Sequence, residues 1–441
     1  MLIPSKQSEC LPACCKRGLY ALLLAAAFLL MPESGHAQSL FDSAVSGDRI
    51  STTEQPALQQ KGTVQTGIFA TDDELTSVYA MGVVKCEVSA NEDISAYLEL
   101  RFRGASEDEE NNEFTLREGY VNLRFDTIDL RIGRQIVVWG RADGINPSNN
   151  ITPLDYTVIS PDEDDKKLAN FLVKSTYYAA PFSLEVDWVP VAKSSILPFE
   201  DVTLPTGVEW AEASNPDSNW DNGSIGLKLD LLGTAFEGSL SYYDGYAKTP
   251  GITYAGSQLY TEQFRTRIIG SDFSTSIGSF GFRGECAYSF PYKDSNQTFS
   301  IPCSELQYIV GIDRSWRNFS CIAQYIGKYV KDLETHSLSD SSLEEIARWN
   351  RMIFSQQETW QHSVSLRPSV TLFHEEVKCE LLALANLSTE ETYVQPKVTY
   401  ALYDAVNLIC GAQLYYGPDD TLYGYMSDDR SAVFCEIQLS F

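Results

Sequence analysis

From Ile94 onward, apolar and polar residues alternate one for one, in stretches of about ten residues broken by turn residues. Leu98, Leu100 and Phe102 alternate with Tyr97, Glu99, Arg101 and Arg103. Val121, Leu123 and Phe125 alternate with Tyr120, Asn122 and Arg124, and Ile128, Leu130 and Ile132 with Asp129 and Arg131. Phe236, Leu240 and Tyr242 alternate with Glu237, Ser239, Ser241 and Tyr243. The same texture recurs over residues 306–313, 319–328, 360–372, 377–387, 394–402 and 406–416. A period of two is that of a strand with one face in each of two environments. Here the polar face carries ionised groups of both signs deep within strands, which a dry core does not accept and a water-filled lumen does.

The connections alternate too. Short ones, as at 126–127, 233–235 and 403–404, are interleaved with long ones at 105–113, 139–167, 192–222, 248–262, 293–303, 331–357 and 418–430. That asymmetry predicts short periplasmic turns and long external loops. The expected fold is an all-β, antiparallel transmembrane β-barrel of about 18 strands, with 16 as the alternative because residues 62–90 are hard to divide. Both chain ends are expected on the periplasmic side.

The N-terminus reads as an export signal. Lys16 and Arg17 precede an apolar run from Gly18 to Met31, followed by Gly35, His36 and Ala37. The run is short for a bilayer span and the exit is that of a cleaved leader. The expected organisation is a cleaved signal peptide over 1–37, a periplasmic N-terminal segment over 38–61 and the barrel over 62–441. No later apolar run reaches the length of a transmembrane helix. The expected location is the bacterial outer membrane, with its lipids as partners.

Charge narrows the function. The chain carries a net −27, which argues against nucleic acid as a partner. Acidic runs lie in external loops, at Glu107–Glu110 and Glu113, Asp162–Asp165, and Asp419, Asp420, Asp428 and Asp429. The strand pattern places Arg101, Arg103, Arg124, Arg131, Lys228, Arg265, Arg267, Arg283, Lys328 and Lys378 on the lumen side. They face Glu87, Glu99, Glu118, Asp129, Asp230, Glu237, Glu285, Glu380 and Glu436. This near balance fixes no ion preference.

Candidate chemistry is sparse. Beyond the leader only His336, His362 and His374 remain, none placed beside a nucleophile or a water-activating carboxylate. No catalytic residue, metal site or cofactor is expected. Of the seven cysteines after the leader, Cys86, Cys286, Cys321, Cys379, Cys410 and Cys435 have outward, apolar parity and read first as small hydrophobes. A disulfide is the second reading, and Cys303 lies in a loop. The stretch SSLEEIARWNRM predicts a short helix capped at Ser341 or Ser342, acting as a lid or plug or packing on the rim.

One segment is distinctive. Gly133-Arg134-Gln135 closes a strand, Trp139-Gly140 follows, and Asn146-Pro147 comes shortly after. These residues resemble a group of bacterial outer-membrane barrel proteins, mostly uncharacterised, and the Gly-Arg-Gln element is similar to that of several porins. The resemblance supports the architecture and carries no cargo; the charge-lined lumen is what favours a porin-like channel for passive or substrate-selective diffusion of small hydrophilic solutes. The likeness to porins implies that the third external loop (139–167) folds into the lumen and narrows it. Arg141, Asp143 and Asp155 are then candidate constriction residues, facing a basic wall of Arg101, Arg103, Arg124 and Arg131. The plainer reading makes Trp139 an interfacial girdle residue, Arg141 a solvated charge and Asn146–Pro147 a turn. The last strand ends on Phe441 and resembles the signal read by the barrel-assembly machinery, which with periplasmic chaperones is an implied partner. The alternative function is a surface adhesin or receptor barrel with a closed lumen.

Overall fold

Lipid outside and water inside impose opposite demands on successive residues, and the chain meets them with an inside-out sheet. The computed structural model describes residues 57–71, 74–106, 108–198, 208–217, 219–293, 299–333 and 341–441. The expected leader, most of the expected N-terminal segment, Glu107 and His336 lie outside the described residues.

In chain order the strands are β1 (Ala57–Ala70), β2 (Ser77–Ser89), β3 (Ile94–Ala105), β4 (Asp108–Phe125), β5 (Ile128–Gln135), β6 (Asn170–Ala179) and β7 (Phe182–Val189). There follow β8 (Glu209–Trp210), β9 (Ser224–Leu232), β10 (Phe236–Tyr246), β11 (Gly251–Ala255), β12 (Gln258–Glu262), β13 (Arg265–Ile277) and β14 (Phe280–Pro291). The last are β15 (Glu305–Trp316), β16 (Phe319–Val330), β17 (Trp360–Leu372), β18 (Val377–Asn386), β19 (Glu391–Tyr403), β20 (Val406–Tyr416) and β21 (Ala432–Ser440). All but β8, β11 and β12 form one 18-stranded sheet, each strand antiparallel to its neighbours. The sheet closes where β21 pairs with β1. Gly62 and Phe441 exchange both backbone hydrogen bonds there, at 2.7 and 2.9 Å. Closure leaves no edge for another chain to extend and no backbone group bare in lipid.

Outward positions are apolar and open to the surroundings, as at Leu240, Ile269 and Val310. Inward positions are polar yet buried, as at Glu99, Asp272, Glu285, Gln324 and Glu436. The barrel is therefore of the outer-membrane type, with lipid on its outer wall. The expected long loop at 105–113 is instead a hairpin: β3 and β4 pair up to Ala105 and Asp108. β1 begins at Ala57, before the expected barrel start at Gly62.

Two residue assignments need correction. Arg265 and Arg267 point outward, because Asp272, of opposite parity on the same unbroken strand, points into the lumen. Both lie at the external end of β13. Cys410 and Cys435 are direct cross-strand partners and form a disulfide, so the small-hydrophobe reading fails for this pair. Cys86, Cys286, Cys321 and Cys379 are free thiols. The last long connection also holds a second helix, which the sequence pattern does not predict.

That helix, α2 (Leu422–Arg430), is capped by Thr421, whose hydroxyl accepts from the Gly424 amide. The expected helix, α1 (Ser341–Ile353), forms and packs on the rim. Its Ile346, Trp349 and Ile353 share an apolar cluster with Ile252 and Leu259 of the small external sheet β8, β11, β12. Asn350 fixes the contact by bonding both the amide and the carbonyl of Ile252.

Candidate functional site

The segment joining β5 to β6, residues 136–169, turns inward at the end of a short strand. Gly133 has φ +140°, a backbone that L side chains rarely adopt, and it lies against the backbone of Tyr120. Gln135 is fully buried and donates to the Leu172 carbonyl. The Ile136 amide then donates to Glu118 on the inner wall, which directs the chain into the lumen.

Trp139 is the apolar anchor. It is 3% exposed, inside the barrel and not in a lipid girdle. Its indole N–H donates to Glu185 at 2.8 Å. The ring lies over Gly226 of β9, where an added Cβ would come within 2.7 Å of it. Val137, Trp139 and Ile151 of the segment pack with Leu172, Val189, Tyr243, Ile268 and Ala287, all inward on the wall. Burying these groups against one another holds the segment as a soluble core would.

Polar contacts continue around the wall. Glu285 of β14 accepts from the Ala142 amide (3.2 Å), the Ser148 amide (2.8 Å) and the Ser148 hydroxyl (2.7 Å). The Asn146 amide lies 3.2 Å from the same carboxylate. Arg141 pairs with Asp272 of β13, and reaches Asp230 of β9 at 3.4 Å and Glu237 of β10 at 3.7 Å. Asp143 pairs with Arg367 of β17 through both oxygens, each at 3.1 Å. The Asp143 backbone also exchanges two hydrogen bonds with Gln324 of β16.

The later part of the segment meets the other side of the barrel. Ile159 packs against the inward cluster of Phe69, Tyr79 and Met81. Arg103 donates to the Ile159 carbonyl, Gln413 to that of Ser160 and Gln395 to that of Pro161. A 3₁₀ turn (Glu163–Lys166) follows, capped by Asp162. Asp165 pairs with Arg101 at 2.8 Å, and Arg117 donates to the Asp164 carbonyl. Burial raises the Asp162 carboxyl above its ordinary pKa, against the hydrogen bond from the Asp164 amide.

The expected site residues therefore separate into groups. Arg141 and Asp143 reach the β9–β17 side of the wall, and Arg101 and Arg103 hold the segment on β3. Arg124 and Arg131 lie nearer the periplasmic end. Arg124 is largely exposed beside Asp129 at 3.6 Å, and Arg131 stacks on Tyr120 and donates to Asn122. Both line a polar cavity of about 410 Å³ with Lys174, Glu185 and Asp230. Asp155 contacts neither wall group. It accepts from the amide and hydroxyl of Thr157, and its backbone pairs with Ile196. It lines a cavity of about 740 Å³ with Arg134, Lys193 and Tyr246. Asp272, Gln324 and Arg367 were missed as partners. The signal for Asp272 was its strand parity, hidden when Arg265 and Arg267 were read as inward. Among the described residues no group of three His, Cys, Asp or Glu side chains could hold a metal ion.

A family described as "Protein of unknown function (DUF1302)" matches residues 37–162, a range ending within the inward segment. No curated protein matches the sequence. Solved structures do resemble the fold. OccK5 (OpdH) of Pseudomonas aeruginosa is 9% identical, aligning over 88% of this chain and 98% of its own with a TM-score of 0.53. OccD3 (OpdP) of the same organism is 8% identical, over 88% and 91%, also with a TM-score of 0.53. At these identities the likeness is one of architecture: the chain has the closed β-barrel fold of bacterial outer-membrane porins.

Proposed function

We propose that this protein is an outer-membrane channel for diffusion of small hydrophilic solutes, narrowed by residues 136–169. Arg141 and Asp143 form the constriction with Asp230, Asp272 and Arg367, while Arg101 and Arg103 steady the segment from the opposite side. Asp155 belongs to the external mouth, and Arg124 and Arg131 to the periplasmic one. The observation that carries the reading is that one connection reaches inward-facing side chains on opposite sides of an 18-stranded barrel. A barrel of that size leaves an aqueous channel unless something fills it. Paired charges at the narrowing favour polar solutes over strong selection of one ion sign. The reading is one of transport, not catalysis. Phe441, outward at the closing strand, is the residue the assembly machinery would read.

A second reading, a surface receptor with a closed lumen, draws on the apolar clusters that seat the same segment. Single-channel recording of the purified mature protein in planar bilayers, with liposome swelling in sugars of graded size, separates the two. Stable current steps and size-limited sugar entry support the channel. A folded, heat-modifiable barrel with neither overturns it in favour of the receptor.

A further inference from the structure

Charges inside the barrel meet water or one another; a charged patch on its outer wall calls for a different partner. Three adjacent strands change character at one height. Tyr242, Ile269 and Tyr288 form one outward row across β10, β13 and β14. The next row up is Asp244, Arg267 and Phe290, and above it Tyr246 stands opposite Arg265. The amide of Tyr292 pairs with the Arg265 carbonyl.

Height can be worked from the register. Ten positions separate Ile277, at the periplasmic end of β13, from Arg267. That is about 33 Å along the strand and, at the usual tilt, about 25 Å along the membrane normal, the thickness of the apolar band. Arg267 thus sits where lipid tails give way to headgroups. A cation is costly at the midplane and nearly free at this level.

Geometry distinguishes the patch from scattered surface charge. Arg265 is held by the Asp221 and Gly223 carbonyls at 3.0 and 3.4 Å and by Asp244 at 3.2 Å. Arg267 donates from Nε to Asp244 at 3.3 Å and stacks on Tyr292, 3.9 Å from the ring centre. The Tyr292 and Tyr242 hydroxyls both donate to Asp244, at 2.7 and 3.2 Å. One carboxylate therefore serves two guanidiniums and two phenols. The cluster keeps a net positive charge and surplus donors, in a chain whose net charge is −27.

We propose that this outward patch binds the phosphate of an outer-leaflet phosphorylated glycolipid, whose acyl chains run down the apolar strip of Ile269 and Phe273. Guanidinium matches phosphate bidentately, and basic groups at a membrane surface recruit anionic headgroups. The proposal is independent of whether the lumen conducts.

The test is native mass spectrometry of the full protein in detergent with diphosphoryl lipid A, its dephosphorylated form, or inorganic phosphate. The wild type is expected to retain the diphosphoryl form selectively. R265Q/R267Q is expected to weaken that binding about 10- to 30-fold, R267K to restore part of it, and D244N to tighten it by removing the competing carboxylate. Heat-modifiable migration verifies the fold. R267Q alone, which disturbs one ion pair, replaces the double variant if that fails to fold. Equal retention of the dephosphorylated lipid, unchanged binding by the variant, or full competition by inorganic phosphate each overturns the proposal.

Discussion

Replacing Arg141 by Gln is the most direct probe of the inward segment. Arg141 is 18% exposed in its side chain, and its partner Asp272 is 2% exposed. Breaking a buried ion pair by removing one partner costs about 3–5 kcal/mol, and a hydrogen bond to a charged group is worth about 1.5–3 kcal/mol. Two features lower that figure here. Asp230 keeps Lys228 at 2.9 Å, and Asp272 keeps the Ser239 hydroxyl at 2.5 Å. A net loss of about 2–3 kcal/mol remains. At 1.4 kcal/mol per decade it lowers the seated-to-released ratio of the segment about 30- to 150-fold. If the released state is about 0.1% populated in the native protein, the variant reaches it about 3–13% of the time. Planar-bilayer recording should show added brief openings of higher conductance. A salt gradient should show a reversal potential moved toward cation preference, since a positive group has left the proposed narrowing. R367Q, which frees Asp143, serves as a second perturbation of the same segment. Unchanged conductance, noise and reversal potential in R141Q would refute the argument that this ion pair positions the segment.

Three further outcomes follow from the structure. G226V drives a side chain into the Trp139 ring, where even a Cβ comes to 2.7 Å. Overpacking of about 1–3 kcal/mol should lower the heat-modification midpoint and make the current noisier, and wild-type behaviour in both assays would contradict the Trp139 anchor. Lys248, in the β10–β11 connection, donates to the Asn149 carbonyl at 2.5 Å. Burial pushes its pKa down to about 8, against the attraction of Glu285, while in the unfolded chain it titrates at about 10.4. Between those values the unfolded chain binds more protons, so this group adds stability as pH rises through that window. Thermal unfolding should therefore gain with pH across about 8 to 10.4 more in the wild type than in K248M, and identical slopes would dismiss the role. For the cysteines, alkylation of the unfolded chain without reductant should label Cys86, Cys286, Cys321 and Cys379 but leave Cys410 and Cys435 unlabelled. Labelling of all six would remove the disulfide.

Much of this site was legible only as a list of members. Strand parity put Asp230, Glu237 and Glu285 inside the barrel, and the Gly133-Arg134-Gln135 element marked where the segment begins. That Glu285 would gather Ala142, Asn146 and Ser148 was not legible, because the partners lie more than a hundred residues apart and meet only once the barrel has closed. Trp139 shows the same limit: its type and its position after a strand fit a lipid girdle equally well until the chain direction after Gln135 is known. Arg265 and Arg267 were misread for a related reason. A charge was assigned to the wet interior, whereas height above the apolar belt makes the outside wet as well.

The chain's pattern already carried the architecture: a period of two, alternating connection lengths and a closing aromatic strand point to a membrane barrel of about 18 strands, with 16 as the alternative. It could do so because lipid and lumen act on each residue singly, so the pattern is local and survives in one dimension. Tertiary structure was needed to bring residues 136–169 against Asp272, Glu285 and Arg367 on one side and Arg101 and Arg103 on the other. It alone decided as well that Cys410 meets Cys435 and that Arg267 joins Tyr292 at the outer rim. These are pairings among groups of equivalent local character, and strand register and barrel closure select among them.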